Sequence, residues 1–319
     1  MEKILNVSEL IEKYDVPAFE QAARIYEKLG IKAGVAVILT SDDPGSISYT
    51  KGIKRFCALY NIACRDYRAN SADELTDLIS ILNTDDSIDG IMVMYPTPFS
   101  DNDAQFMNQI NPAKDIEGLH NTYLGYLAQF EKFRDPNKLQ KLVIPPTSKG
   151  ILYIIKRYHA IYEKYKKANG HYPDYRYSNP FEIEGKHFTI INDSLAVGRS
   201  LALMLLNENG SVQICHKYTS YYDILRHAST SDFIISAVPS DDFVIPTEVV
   251  PENAIVIDIS FSGNFEYPSI IEKCYKIAPR WDLVEKGNRI NDITLYRLIS
   301  NLFYLINAKI DPEVLKTVC

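Results

Sequence analysis

The chain has 319 residues, 46% of them hydrophobic and 24% charged, a length that suits two domains and a composition typical of a globular protein. A formal net charge of −7 argues against a general nucleic-acid binder, which is normally basic. No apolar run reaches the roughly 20 residues of a membrane-spanning helix, so neither nucleic acid nor membrane is an expected partner.

The first residues, MEKILNVSELIEKY, are amphipathic and acidic, unlike a signal or transit peptide. The run AGVAVILT (33–40) reads as a strand buried on both faces. An Asp-Asp-Pro turn follows, then a helical pattern from about Ile47 to Tyr60. IACRDYRA (62–69) reads as a second strand, and Ser71 with Glu74 forms a capping box that opens a helix to about Leu82. IDGIMVMYP (88–96) reads as a third strand, ended by Pro96 and Pro98. Strands alternating with helices imply a parallel sheet covered by helices.

The alternation then restarts after Pro145-Pro146, where the domain boundary is expected. A long amphipathic helix (150–168) leads into NGHYPDYRYSNP (169–180), which reads as an exposed excursion. HFTIIND (187–193) is a strand, and VGRSLALMLLNENG (197–210) is a helix stopped by Asn209-Gly210. Further strands are expected at 211–216, 231–239 and 254–260, with a closing helix over 292–309. The cysteines Cys57, Cys64, Cys215, Cys274 and Cys319 are odd in number and lack metal-ligand spacing. A reducing compartment, the cytoplasm, is expected, and no metal.

The turn INDSLAVGRS (191–200) stands where a dinucleotide fold brings backbone N–H groups and a helix N-terminus to a pyrophosphate. Only Gly198 remains of a glycine-rich fingerprint, so the turn serves a plain strand-to-helix connection equally well.

Taken in order, several segments resemble the methylenetetrahydrofolate dehydrogenase/cyclohydrolase family along nearly the whole chain. An Asp-Pro-Ala-Ser turn followed by Tyr-x-x-x-Lys resembles DDPGSISYTKGIK (42–54). Val-Gln-Leu-Pro-Leu-Pro resembles VMYPTP (93–98), and Pro-x-Lys-Asp-Val-Asp-Gly resembles PAKDIEG (112–118). Pro-Cys-Thr-Pro-x-Gly resembles PPTSKG (145–150), with Pro146 and Ser148 as departures. Val-x-Gly-Arg-Ser-x-x-Val-Gly resembles INDSLAVGR. The resemblance implies two α/β domains with a cleft between them, the second a Rossmann-like parallel-sheet dinucleotide-binding domain. Residues 1–146, joined by a C-terminal helix (296–319), would bind folate and residues 147–295 would bind NAD. It also implies a homodimer.

Two departures concern chemistry. The family's lysine, four residues after the tyrosine, is Ile53 here, and the glutamine that supports it is Met94. Lys51 and Lys54 point elsewhere on a helix. Hydrolysis of a methenyl bridge needs a positioned acid–base group, whereas hydride transfer needs proximity and orientation with the chemistry in the cofactor. The chain therefore resembles most the monofunctional NAD-dependent branch found in yeast, which shares this loss: it is expected to oxidise 5,10-methylenetetrahydrofolate to 5,10-methenyltetrahydrofolate without cyclohydrolase activity. The rival expectations are a bifunctional dehydrogenase/cyclohydrolase, with Lys51 or Lys54 reaching the site, and a non-catalytic folate or nucleotide sensor.

By the same resemblance Tyr49 stacks on the folate, with Met94, Tyr95, Pro96, Asp115 and Glu117 as further substrate-binding residues. Glu117 would grip the pterin's amino and ring N–H groups, since a carboxylate accepts two such bonds side by side. Asn192, Asp193, Ser194, Ala196, Lys217, Ala237, Val238, Phe261 and Thr294 would hold the cofactor. Asp193 replaces the family's arginine, whose positive charge suits the 2′-phosphate of NADP; a carboxylate repels that phosphate and suits the free 2′-hydroxyl of NAD. Lys217 works in the opposite direction.

Overall fold

The computed structural model describes residues 3–312 and 314, leaving out 139, 175 and 176. Cys319 and the end of the expected C-terminal helix therefore lie outside the described residues. The chain divides into two compact units, Lys13–Pro146 with Leu295–Cys319, and Met1–Glu12 with Thr147–Thr294. Residues 1–12, read above with the first domain, thus group with the second. Leu5 N–H donates to the Ile277 carbonyl at 2.8 Å, and Leu5, Val7 and Leu10 are buried.

The first unit is built on a parallel sheet of β1 (Gly34–Leu39), β2 (Ala63–Arg68) and β3 (Gly90–Val93) in the order β2-β1-β3. Every residue of β1 is buried, as its unbroken apolar run requires. The strand β2 lies at the edge and carries charges that blunt it against further pairing. The helix after β1 spans Pro44–Leu59, three residues earlier than its periodicity suggests. The Asp43 carboxylate accepts from Ser46 N–H at 2.7 Å, and Pro44 at the first helical position has no N–H to leave unpaired. The capping box holds with one change. Ser71 Oγ accepts from Glu74 N–H, but the Glu74 carboxylate reaches back to Asn70 N–H, at 2.7 Å. Ala36, Ile38, Leu75, Ile79, Leu82, Ile91, Val93 and Phe106 form one core. A second cluster joins Phe19, Phe56 and Tyr60 to Tyr296 and Phe303 of the closing helix, Ile290–Asn307.

The second unit carries five parallel strands in the order β5-β4-β6-β7-β8. They are β4 (His187–Ile191), β5 (Ser211–Cys215), β6 (Phe233–Ser236), β7 (Ile255–Asp258) and β8 (Lys276–Ala278). Sequence periodicity misses β8, whose three residues are too few to show a pattern. Also missed is the amphipathic helix Val16–Lys28 of the first unit. The excursion over 169–180 is not simply exposed: Tyr172, Asn179 and the following Phe181 are buried. Tyr172 OH and Asn179 Nδ2 both donate to Glu163 of the helix Pro146–Asn169, at 2.9 and 3.0 Å. Tyr175 and Arg176 of that stretch lie outside the described residues. The helix after β4 begins as a wide turn, Leu195–Arg199, and continues as Ser200–Leu206. It stops at Asn209, which adopts a left-handed φ of 64°, with Gly210 N–H returning to the Leu205 carbonyl at 2.9 Å.

Candidate functional site

In the first unit the site residues gather on segments leaving the sheet. Tyr49 and Ile53 lie one helical turn apart, on the same face of the Pro44–Leu59 helix. Ile53 is 0% exposed and Met94 is buried, so the paired apolar residues are core. Lys51 is exposed, and Lys54 is held on the β2 edge by an ion pair with Asp66. Met94 belongs to the segment after β3, tied to β1 by its N–H to Ile38 O at 2.9 Å and by Thr40 Oγ1 to its carbonyl. Tyr95 is half-buried and Pro96 is exposed.

Asp115 shapes the loop that carries Glu117. Its buried carboxylate accepts from the N–H groups of Glu117, Gly118 and His120 at 3.0, 2.9 and 2.8 Å. Burial raises its pKa and these three bonds oppose the rise. Gly118 has a φ of +67°, and a Cβ there would lie 2.9 Å from the Val143 carbonyl, so only glycine fits. Lys114 does not pair with Asp115. Its ammonium donates to the carbonyls of Leu82 and Asp85 at the end of the helix Ala72–Thr84. Asn301, on the closing helix, fixes the loop from below by donating to the Ile116 and Ile144 carbonyls, both at 2.8 Å.

Glu117 itself is half-buried and, among the described residues, accepts only a long bond from Val93 N–H, 3.3 Å. Burial, reinforced by the negative charge of Asp115, pushes its pKa up to about 8. Burial and Glu117 likewise raise the phenols of Tyr49 and Tyr95 above the ordinary tyrosine range. Tyr95 OH is buried with no hydrogen-bond partner among the described residues. The charge of Glu117 thus reaches Tyr49 and Tyr95, and that of Asp115 reaches Tyr95 and Glu117. An aromatic ring there can stack, and the Glu117 carboxyl, once its proton is released, can receive two N–H donors.

In the second unit β4 lies between β5 and β6, so the crevice at the carboxyl ends of β4 and β6 is the place where such a sheet receives a ligand. Of the predicted cofactor residues, Asn192, Asp193, Ser194 and Ala196 follow β4 and Ala237 and Val238 follow β6. Asn192 accepts from Ser194 N–H, Ser194 Oγ and Gly198 N–H through Oδ1, and its Nδ2 donates to Ala237 O at 3.0 Å. Ser194 Oγ caps Val197 N–H, which leaves the first-turn N–H groups of Leu195 and Ala196. A Cβ on Gly198 would lie 1.8 Å from Asn192 O, so glycine lets the helix close onto the turn. This cradle of backbone donors at a helix start fits a pyrophosphate. Val238 is held by Asn264, whose side chain accepts from Val238 N–H and donates to Val238 O.

Asp193 has a neighbour that sequence reasoning missed, because six residues separate them around a turn. Arg199 Nη2 lies 3.4 Å from its carboxylate, and both side chains are exposed. Lys217 is exposed with its ammonium over the Tyr218 ring at 5.0 Å. Phe261 stands exposed after β7. Thr294 is buried, its hydroxyl donating to Ile290 O within the closing helix. Ser148, where the family has proline, is wholly buried and hydrogen-bonds Ser200 Oγ and the Val197 carbonyl, at 2.7 and 2.9 Å. It thereby ties the start of the long helix to the nucleotide turn. A surface groove of about 710 Å³ lined by Tyr222, Arg226, Glu248 and Lys273 includes none of these residues.

Residues 5–117 match the family described as tetrahydrofolate dehydrogenase/cyclohydrolase, catalytic domain, and residues 177–302 match the NAD(P)-binding domain of the same family. A relative named bifunctional protein FolD, from Caldicellulosiruptor saccharolyticus, is 32% identical over 77% of this chain and 79% of its own. The structure of the bifunctional methylenetetrahydrofolate dehydrogenase/cyclohydrolase from Campylobacter jejuni is 25% identical, with a TM-score of 0.75 over 97% of this chain and 99% of that one. The NAD-dependent 5,10-methylenetetrahydrofolate dehydrogenase of Saccharomyces cerevisiae shares the fold, with a TM-score of 0.78 at 20% identity, covering 96% of this chain and 98% of that one.

Proposed function

The chain belongs to the tetrahydrofolate dehydrogenase/cyclohydrolase family, and from that premise we propose that it oxidises 5,10-methylenetetrahydrofolate to 5,10-methenyltetrahydrofolate, with NAD as the hydride acceptor. The observation that carries this is Tyr49 within electrostatic reach of Glu117, a stacking ring and a proton-holding carboxyl, both half-buried. Tyr49 supports the pterin face. Glu117, once ionised, takes its amino and ring N–H groups, with Asp115 holding the loop. The two folate nitrogens flanking the methylene carbon supply the electron push, and the product is a delocalised cation. The carboxyl pair Asp115 and Glu117 favours that charge, and no ammonium among the described site residues opposes it. When bound, the nicotinamide cofactor supplies the hydride acceptor. The chain's part is to orient it through Asn192, Ser194, Ala196, Ala237 and Val238. Asp193 supports NAD over NADP, while Arg199 and Lys217 weaken that support.

The comparisons taken alone favour the two-activity alternative, because two of the three proteins just described are named bifunctional. The specific observation on the other side is the buried Ile53–Met94 pair where the hydrolytic lysine and glutamine would stand, with Lys54 engaged by Asp66. A homodimer in the cytoplasm completes the proposal. The test is to mix purified protein with methylenetetrahydrofolate and follow reduced-cofactor absorbance with NAD and with NADP. Turnover with neither would leave a folate or nucleotide sensor.

A further inference from the structure

A dinucleotide held at the β4–β6 switch point with its adenosine half toward Asp193 and Lys217, at the ends of β4 and β5, would extend its other end past β6 toward β7. The loop after β7 is joined to that crevice by a chain of bonds. Asn192 holds Ala237, Asn264 holds Val238, and Asp258 accepts from Asn264 N–H at 2.9 Å and from Ser260 N–H at 3.0 Å. At the tip of this anchored loop stands Phe261, 75% exposed.

A single exposed aromatic is ordinary, but this one is braced. Trp281, the one tryptophan of the chain, stacks on the Phe261 ring with centroids 5.2 Å apart and planes 23° from parallel. Its Nε1–H donates to the Phe261 carbonyl at 3.1 Å. The Arg289 guanidinium lies over the Trp281 ring, 5.3 Å from its centroid. Trp281 comes from the segment after β8, so two neighbouring strand ends together hold one ring out in solvent. An offset stack fixes ring orientation as well as position.

We propose that Trp281 is a positioning residue for the reaction: it holds Phe261 as a flat platform against which the nicotinamide ring of the bound cofactor lies. This rests on the dinucleotide-dependent function proposed above. The platform orders one aromatic side chain before the cofactor arrives, so less ordering remains when the nicotinamide docks.

Calorimetric titration of the full chain with NAD and with ADP-ribose, which lacks only the nicotinamide ring, tests the platform. In the wild type NAD is expected to bind more tightly than ADP-ribose. In Trp281→Ala that advantage should shrink by about tenfold, equivalent to about 1.4 kcal/mol, while ADP-ribose affinity stays unchanged. Trp281→Phe should keep the advantage, and kcat should fall in Trp281→Ala with the folate KM little changed. Equal affinity for the two ligands in the wild type overturns the platform, and this outcome depends on no variant folding. Equal weakening of both ligands in Trp281→Ala also overturns it, because that is the mark of a merely structural role. If neither NAD nor ADP-ribose gives binding heat, and NADP gives none either, the dinucleotide function falls and the platform with it.

Discussion

At the scale of single residues, Glu117 and Asp193 govern the predicted behaviour. Glu117 holds its proton up to about pH 8 in the unliganded protein, through burial first and Asp115 second. To accept two N–H groups from a pterin it must release that proton. Folate affinity should therefore rise with pH below about 8, by roughly tenfold per unit if one proton leaves per folate bound. Equilibrium titration across this range checks the slope, and Glu117→Gln should flatten it and weaken binding. Tyr49→Ala should weaken folate binding by about 1–3 kcal/mol, by analogy with base–aromatic stacking, measured on the same protein. Asp193→Arg should move cofactor preference toward NADP by about tenfold or more in kcat/KM, about 1.4 kcal/mol for each tenfold. A wild type that already uses NADP as well as NAD would remove the basis of that prediction. The partial neutralisation of Asp193 by Arg199 makes the wild-type selectivity smaller than an isolated carboxylate would produce.

At the scale of elements, the Pro44–Leu59 helix decides which chemistry is open. Its buried face carries Thr50, Ile53, Phe56 and Cys57, and Tyr49 sits one turn before Ile53. With position 53 packed in the core, no amine stands one turn after Tyr49 on its face of the helix; Lys51 is exposed and Lys54 is drawn to Asp66 on β2. Methenyltetrahydrofolate should accordingly disappear no faster with protein than in buffer. A rate proportional to enzyme concentration would establish the two-activity alternative that the named relatives favour. The helix is set at its start by Asp43 and Pro44, so its first turn and Tyr49 share one anchored segment.

At the scale of the whole molecule, neither compact unit is continuous in sequence. The chain passes between them at Glu12–Lys13, Pro146–Thr147 and Thr294–Leu295. A chain beginning at Lys13 lacks Leu5, Val7 and Leu10, all buried. Loss of buried aliphatic side chains costs about 2–5 kcal/mol each when cut back to Ala, so this truncation should markedly lower the thermal midpoint. Calorimetry of the full and shortened chains measures it. Global stability should also carry the signature of Glu117. The folded state keeps a proton that the unfolded chain releases near the ordinary glutamate value of 4.5, so Glu117's contribution makes stability fall as pH rises from there to about 8. Glu117→Gln should remove that fall, and the variant should gain on the wild type as pH rises through this window.

Much of this was legible in the chain itself. Strands buried on both faces must be continuous apolar runs, which is why β1, β4, β6 and β7 stand out without a structure. Caps depend on neighbours three or four residues apart, so Ser71, Asn209 and Gly210 announced helix ends correctly. Tyr49 and Glu117 are candidates drawn from short ordered motifs, whose residues lie close in sequence. Other features depend on contacts between distant segments, and only the tertiary structure decided them. The N-terminal twelve residues join the unit of Thr147–Thr294 through Ile277. Asn301 braces the Glu117 loop across 185 residues of sequence. Phe261 and Trp281 meet because two parallel strands end side by side. The proton on Glu117 belongs to the same class, since a carboxyl's affinity for it is set by burial and by the charges that folding brings near.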